Sequence, residues 1–320
     1  MSDILITTIS YVFGWIVIFV LLSWMMACLY LLLSRSFAKV KAEQAANAIL
    51  MYGLLSPAAA TVALIVLSFP NLAFSFVADH CHGQDCSPHT LQMTLSSVQG
   101  MVTVSVAVSL LTGIFIVMAL QLSSSRSKLK MLSYLSEPTA LPYKIVDSNS
   151  KLAWCAGLIK PEIFISRGLA NKLTEEQMQI VLAHEFMHAK RKDNLRKWLL
   201  HWSSIVWTKH HRTRIKQDFS NYTEQVCDLA AVQALKGSNG FTAVMETLDT
   251  CDSHACETNA EQRNATRIQA LKKECQSKSA SIKPAIITRW TPVLSVSCLW
   301  IFAVILAVYL GHPLLEWVAV

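Results

Sequence analysis

The sequence predicts a mainly α, polytopic membrane protein in which four transmembrane helices carry one polar α+β domain on the inner side. Three observations lead there. Hydrophobic residues make up 53% of the 320-residue chain and charged residues 15%, with a mean hydropathy of +0.39, a balance unlike that of a soluble enzyme. Four apolar stretches are long enough to cross a bilayer: Ile4 to Leu33, about Leu50 to Val77, about Val98 to Leu122, and about Thr291 to Leu310. The basic residues are partitioned: Arg35, Lys39 and Lys41 lie in the first loop, and 25 of the 28 Lys and Arg lie between Arg126 and Trp290.

Short loops rich in Lys and Arg stay on the cytoplasmic side. The expected orientation therefore alternates: amino terminus outside, Ser34 to Ile49 inside, Asp79 to Ser97 outside, Arg126 to Trp290 inside, carboxyl tail outside. Residues 1–125 are assigned to three spans with short loops, 126–290 to the cytosolic domain, and 291–320 to the fourth span and a short external tail. The first stretch outruns a signal-peptide core, lacks a basic leader and is followed by basic residues in place of a cleavage site, so it reads as a retained anchor. Trp290 and Trp317 suit the interfacial aromatic belt. The first three spans hold no buried charge pair of the kind that marks a transport pathway. The inner domain, with 25 basic and 16 acidic residues, suits anionic inner-leaflet lipid; nothing in it points to direct nucleic-acid binding.

The outer loop Asp79 to His89 combines Cys81 and Cys86 with His80, His82 and His89. In an oxidising periplasm the two cysteines are expected to form a structural disulfide; the competing reading is a copper- or zinc-sensing loop. In the inner domain, Tyr143 to Asp147, Leu152 to Ala156 and Glu162 to Ser166 read as short strands separated by turn residues. Leu152 to Ala156 is the candidate edge strand for an extended peptide, with an ordinary packing strand as the alternative.

Thr174-Glu175-Glu176-Gln177 reads as an N-cap with a capping box, and Met178, Val181 and Leu182 continue at helical spacing. That helix carries His184, Glu185 and His188 in the order HExxH. Two imidazoles four residues apart lie on one helix face and can bind one zinc ion, while the adjacent carboxylate reaches a water without being a ligand. This is the donor pattern of a zinc peptidase. A catalytic zinc needs a third protein ligand and an open position. The expected source is the helix in Asn221 to Gly237, where Glu224 would bind the metal and Asp228, four residues on, would hydrogen-bond a liganding histidine.

Between these helices, Leu195 to Gln217 is aromatic and basic, with Trp198, Trp202 and Trp207 beside His201, His210 and His211. It reads either as a helix lying on the inner leaflet or as a buried amphipathic core helix. Beyond Gly240, FTAVMETL and EQRNATRIQALKK read as further helices around Cys251, His254 and Cys256. Those thiols face the cytosol and are expected to be reduced, a second metal site being the sharper alternative.

With these residues assembled, the chain resembles the BlaR/MecR-type membrane metallopeptidases of beta-lactam signal transduction. The matching segments are Gly157 to Ser166 (GLIKPEIFIS), Leu173 to Asp193 (LTEEQMQIVLAHEFMHAKRKD), Glu224 to Asp228 (EQVCD) and Arg267 to Leu271 (RIQAL). Three spans before the domain and one after match that layout. The resemblance implies a gluzincin-like fold, His184, His188 and Glu224 as zinc ligands, Glu185 as catalytic base, and location in the bacterial inner membrane. It also implies a protein substrate, either a winged-helix repressor or the chain itself. The family's beta-lactam sensors continue into an extracellular penicillin-binding domain, whereas Gly311 to Val320 follow here, so direct beta-lactam sensing is not expected. Two other functions compete. An HtpX-type quality-control protease shares HExxH and the later glutamate, but usually has two spans on either side of the active helix. A non-catalytic scaffold would need none of the four site residues.

Overall fold

The computed structural model describes residues 2–68, 98–139, 142–234 and 298–309. The loop with Cys81 and Cys86, the Cys251 to Cys256 stretch, the helices expected beyond Gly240, and Trp290 and Trp317 lie outside the described residues. The fold begins with three long helices, α1 (Ser2–Phe37), α2 (Ala42–Ser68) and α3 (Val98–Tyr134). Four strands follow, β1 (Ser136–Pro138), β2 (Lys144–Val146), β3 (Ala153–Ala156) and β4 (Glu162–Ser166). The chain then forms α4 (Arg167–Ala170), α5 (Glu175–Arg191), α6 (Asp193–Ser203) and α7 (Lys209–Ala234). A short apolar helix, α8 (Cys298–Tyr309), lies near the end.

Among the described residues two segments, Val12–Phe37 and Ala42–Val66, are long and apolar enough to cross a membrane, which associates the protein with one. The basic loop expected from Ser34 to Ile49 is much shorter than that. Helix α1 runs to Phe37 and α2 starts at Ala42, because AEQAANAIL is built of good helix formers and has a buried face to fill. Ala45, Ala46, Ile49 and Tyr52 on α2 are each 0% exposed, packed in one cluster with Met26 and Tyr30 of α1 and with Leu200, Trp207, Ile215 and Phe219 of the α6–α7 pair. The apolar faces of α1 and α2 thus serve as core for the polar domain.

The sheet has the order β1-β2-β4-β3, with β2 and β4 parallel and the other pairs antiparallel. β4 lies centrally and buries Ile163, Phe164 and Ile165; β3 is an edge strand, as expected for Leu152 to Ala156. β1 is an addition to the three strands read from the sequence. Its SEP sequence has no strand propensity, and pairing with β2 imposes the conformation. β3 ends at Gly157, whose φ of 104° and 2.8 Å gap between a built Cβ and the Lys160 carbonyl leave no room for a side chain.

Helix α5 starts as the capping box predicts: Gln177 N donates to Thr174 Oγ1 at 3.3 Å, and Thr174 N donates to Gln177 Oε1 at 3.0 Å. It stops at Lys192, a left-handed residue (φ 51°, ψ 47°) that turns the chain directly into α6. The segment Leu195 to Gln217 is two helices joined by a turn and not one surface helix. Leu200 (1% exposed), Trp207 (3%) and Ile215 (0%) are buried, so the core reading prevails for most of it.

The close fit of α6 on α2 rests on Gly53, where an added Cβ would lie 2.3 Å from Leu200 Cδ1 and 3.4 Å from Ser203 Oγ. Gly53→Val is therefore expected to push α6 off α2 and to destabilise the fold by about 1–3 kcal/mol, the usual cost of overpacking, read as a lower thermal midpoint of the detergent-purified protein.

Candidate metal centre

Five residues of the centre, His184, Glu185, His188, Glu224 and Asp228, come from two helices that pack side by side, α5 and α7. On α5 the i, i+4 spacing stacks His184 and His188 on the face turned toward α7, ring centroids 4.9 Å apart. On α7, Glu224 points back between them. Its Oε2 lies 3.4 Å from His184 Nε2 and 3.5 Å from His188 Nε2, and the two Nε2 atoms are 3.3 Å apart. The three donor atoms thus form a nearly equilateral triangle. A tetrahedral zinc site with bonds of about 2.0–2.1 Å has donor-to-donor edges of about 3.3–3.4 Å, so the residues fit that ion. His184 is 5% exposed.

The other ring nitrogens face buried carboxylates. His184 Nδ1 lies 3.2 Å from Asp228 Oδ1, and Asp228 is 0% exposed, where the i, i+4 relation to Glu224 places it. His188 Nδ1 lies 2.9 Å from Asp193 Oδ2. Asp193 is 1% exposed and is also held by Arg191 Nε and Arg196 Nη1, each 3.3 Å from its Oδ1. Sequence reasoning missed this residue. The available signal was a lone acid in the basic run Lys190 to Lys197, at the first position of a helix.

Electrostatics follow from burial and these contacts. Burial opposes charge on His184, but Asp228 and Glu224 outweigh it and raise its pKa to about 10. His188 is likewise raised, with Asp193 as the strongest partner against burial. Burial would lift Glu224, yet the two imidazoles hold it well below the usual carboxylate range. Glu185 moves the other way: burial raises it, more than His184 and His188 lower it. The centre therefore contains one carboxylate held in its ionised form and another that burial makes more basic than an ordinary glutamate.

Four further residues border the site. Lys197 Nζ lies 3.7 Å from Glu224 Oε1. The Cys227 thiol, 0% exposed, forms a second potential donor group with His188 and Asp193, and burial, then Glu185, pushes the Cys155 thiol up to about 11. Asn194 Nδ2 donates to the Cys155 carbonyl at 2.9 Å, tying edge strand β3 to the start of α6, and β3 also contacts α5. The edge strand named from the sequence is thus the one beside the donor triangle.

A family model described as BlaR1 peptidase M56 matches residues 73–240, more than half of the chain. No curated protein and no solved structure matches. The match contains the whole of α5 and α7, and its metallopeptidase character agrees with the converging histidines and glutamate; the chain belongs to the BlaR1 peptidase M56 family.

Proposed function

We propose that this protein is a zinc-dependent endopeptidase of the bacterial inner membrane that cleaves a protein substrate at the cytosolic face, in signal transduction to a transcriptional repressor. The observation that carries the chemistry is the triangle of donor atoms at 3.3 to 3.5 Å. His184, His188 and Glu224 hold the ion and Glu185 is the catalytic base. The four-span topology, with both termini periplasmic, is supported by the placement of basic residues. A winged-helix repressor or the chain itself is the proposed substrate, on the strength of the family.

Bound zinc supplies Lewis acidity, polarising a carbonyl and acidifying a water. The rest of the work falls to the chain. Glu185, made more basic by burial, takes a proton from water and returns it to the leaving amine. Asp228 and Asp193 fix the ring orientation of His184 and His188 through their Nδ1 atoms. Strand β3, an edge of the sheet among the described residues, lies beside α5, and an extended substrate would pair its backbone there with little dependence on sequence.

Glu185→Gln is expected to keep about one zinc per chain and to lose proteolysis by at least about a hundredfold, whereas His184→Ala, His188→Ala and Glu224→Ala lose the metal. Metal analysis of purified variants beside cleavage in membranes separates the two classes; normal cleavage by Glu185→Gln would remove the proposed base. Asp193→Asn and Asp228→Asn should each cost about 10- to 100-fold in zinc affinity or activity, and wild-type values for both would make these carboxylates structural only.

Zinc binding should also depend on pH. With His184 at about 10 and His188 raised as well, the metal-free centre carries protons at pH 7 that the ion must displace. Affinity therefore rises as pH rises toward 10 and falls in acid. Calorimetry in buffers of different ionisation enthalpy should register net proton release at pH 7, and a titration with no release would contradict protonated histidines in the metal-free centre.

A further inference from the structure

Helix α1 has 36 residues, roughly 54 Å at 1.5 Å per residue, while a bilayer core is about 30 Å thick and needs about 20 residues. A large part of α1 must therefore lie outside the hydrocarbon, and the contacts identify which part. Trp24 Nε1 donates to the Val206 carbonyl at 3.0 Å, and Tyr30 OH donates to Asp218 Oδ2 at 2.9 Å. From Trp24 to Phe37, then, α1 is clad by the α6–α7 hairpin. The start of α2 is clad by the end of α5 and by α6: Glu43 lies 3.8 Å from Arg191, Arg196 Nη2 donates to Asn47, and Gly53 abuts Leu200 and Ser203. A plane through Trp24 and Gly53 leaves Ile4 to Trp24 on its far side, about the length that one crossing needs. No charged residue lies between Ile4 and Ser34 or between Gln44 and Ala78.

The tip of the hairpin, Ser204 to Arg214, reaches this plane. Between Asp193 and Asp218 the chain has six Lys or Arg and no Asp or Glu. Lys209, His210 and Arg214 are exposed at the tip, and Arg212 Nη1 donates to the Ile205 carbonyl at 3.4 Å. Arg214 also meets Asp218 at 3.2 Å. Beside the tip the Trp24 indole is 57% exposed, an amphipathic ring of the kind that settles at headgroup level.

We propose that the α6–α7 tip is a phospholipid contact, in which Lys209 and Arg214 engage anionic headgroups of the leaflet that α1 and α2 enter. This rests on the reading that those helices span the membrane. The contact sets the bilayer surface at Trp24 and Gly53. It also hangs the metal centre one α6 length below that surface, 11 residues or roughly 16 Å.

The test uses the full-length protein in nanodiscs of phosphatidylcholine with or without phosphatidylglycerol. A photo-crosslinking phenylalanine analogue is placed at Ile65 (51% exposed, on α2), at His210, or at the exposed Lys190 on α5, and adducts are identified by mass. Lipid adducts are expected at Ile65 and His210 and not at Lys190. Those at His210 should be enriched in phosphatidylglycerol, a preference that falls about fivefold for each charge removed by Lys209→Gln or Arg214→Gln. Lipid adducts at Ile65 with none at His210, or none enriched in phosphatidylglycerol, would overturn the headgroup contact alone. A lack of lipid adducts at Ile65 would overturn the spanning reading and the contact with it. Inorganic phosphate at constant ionic strength should leave the preference intact; its loss would mark a free-anion site and reject the lipid.

Discussion

Two imidazole nitrogens and a carboxylate oxygen converge to 3.3–3.5 Å in a largely buried place, and much of the surrounding structure answers to that constraint. Such atoms are all acceptors when the histidines are neutral, and acceptors brought together away from water repel unless a cation lies among them. In the absence of a metal, protons serve, which is why both histidine pKa values stand high despite burial. The carboxylates of Asp228 and Asp193 behind the rings favour positive charge at the centre. Asp193 is in turn compensated by Arg191 and Arg196, so its buried charge is paired and hydrogen-bonded, as burial requires.

Holding those atoms in register demands rigid helices, and the long apolar helices provide the rigidity. α7, which carries Glu224 and Asp228, rests on α2 and α5. Its buried residues Ile215 and Phe219 sit among Tyr30, Tyr52 and Trp207, with Tyr52 OH donating to the Met26 carbonyl at 2.7 Å. A shift of α1 against α2 would therefore be transmitted to the helix that bears Glu224 through packed side chains and the Tyr30–Asp218 hydrogen bond. That gives the peptidase a direct physical connection between its long apolar helices and the candidate metal centre.

The convergence of His184, His188 and Glu224 was largely legible because its information is local. HExxH reports its own geometry once a helix is assured, and Thr174 with Gln177 assured it. Glu224 and Asp228 carried their relation in an i, i+4 spacing. Asp193 was not legible: an aspartate among Lys and Arg reads as solvated, and its burial follows from the left-handed turn at Lys192, which no local pattern announces. The break between α6 and α7 was hidden for a similar reason, since SSIVW has no Gly or Pro and is turned by tertiary packing around Trp207. β1 owes its conformation to β2. The role of α1 and α2 as core for the polar domain was also obscured, because hydropathy gives the same signal for residues packed on protein as for those packed on lipid.

The chemistry of the centre turns on which atoms hold the ion, and X-ray absorption of the zinc-loaded, full-length protein reads those atoms without intermediary. The expected spectrum has a first shell of nitrogen and oxygen alone at about 2.0–2.1 Å with the outer scattering of two imidazoles, from His184 and His188. Cys227 lies close enough to His188 and Asp193 to compete for an ion. A sulfur shell at about 2.3 Å would place the metal on that thiol and contradict the site as described.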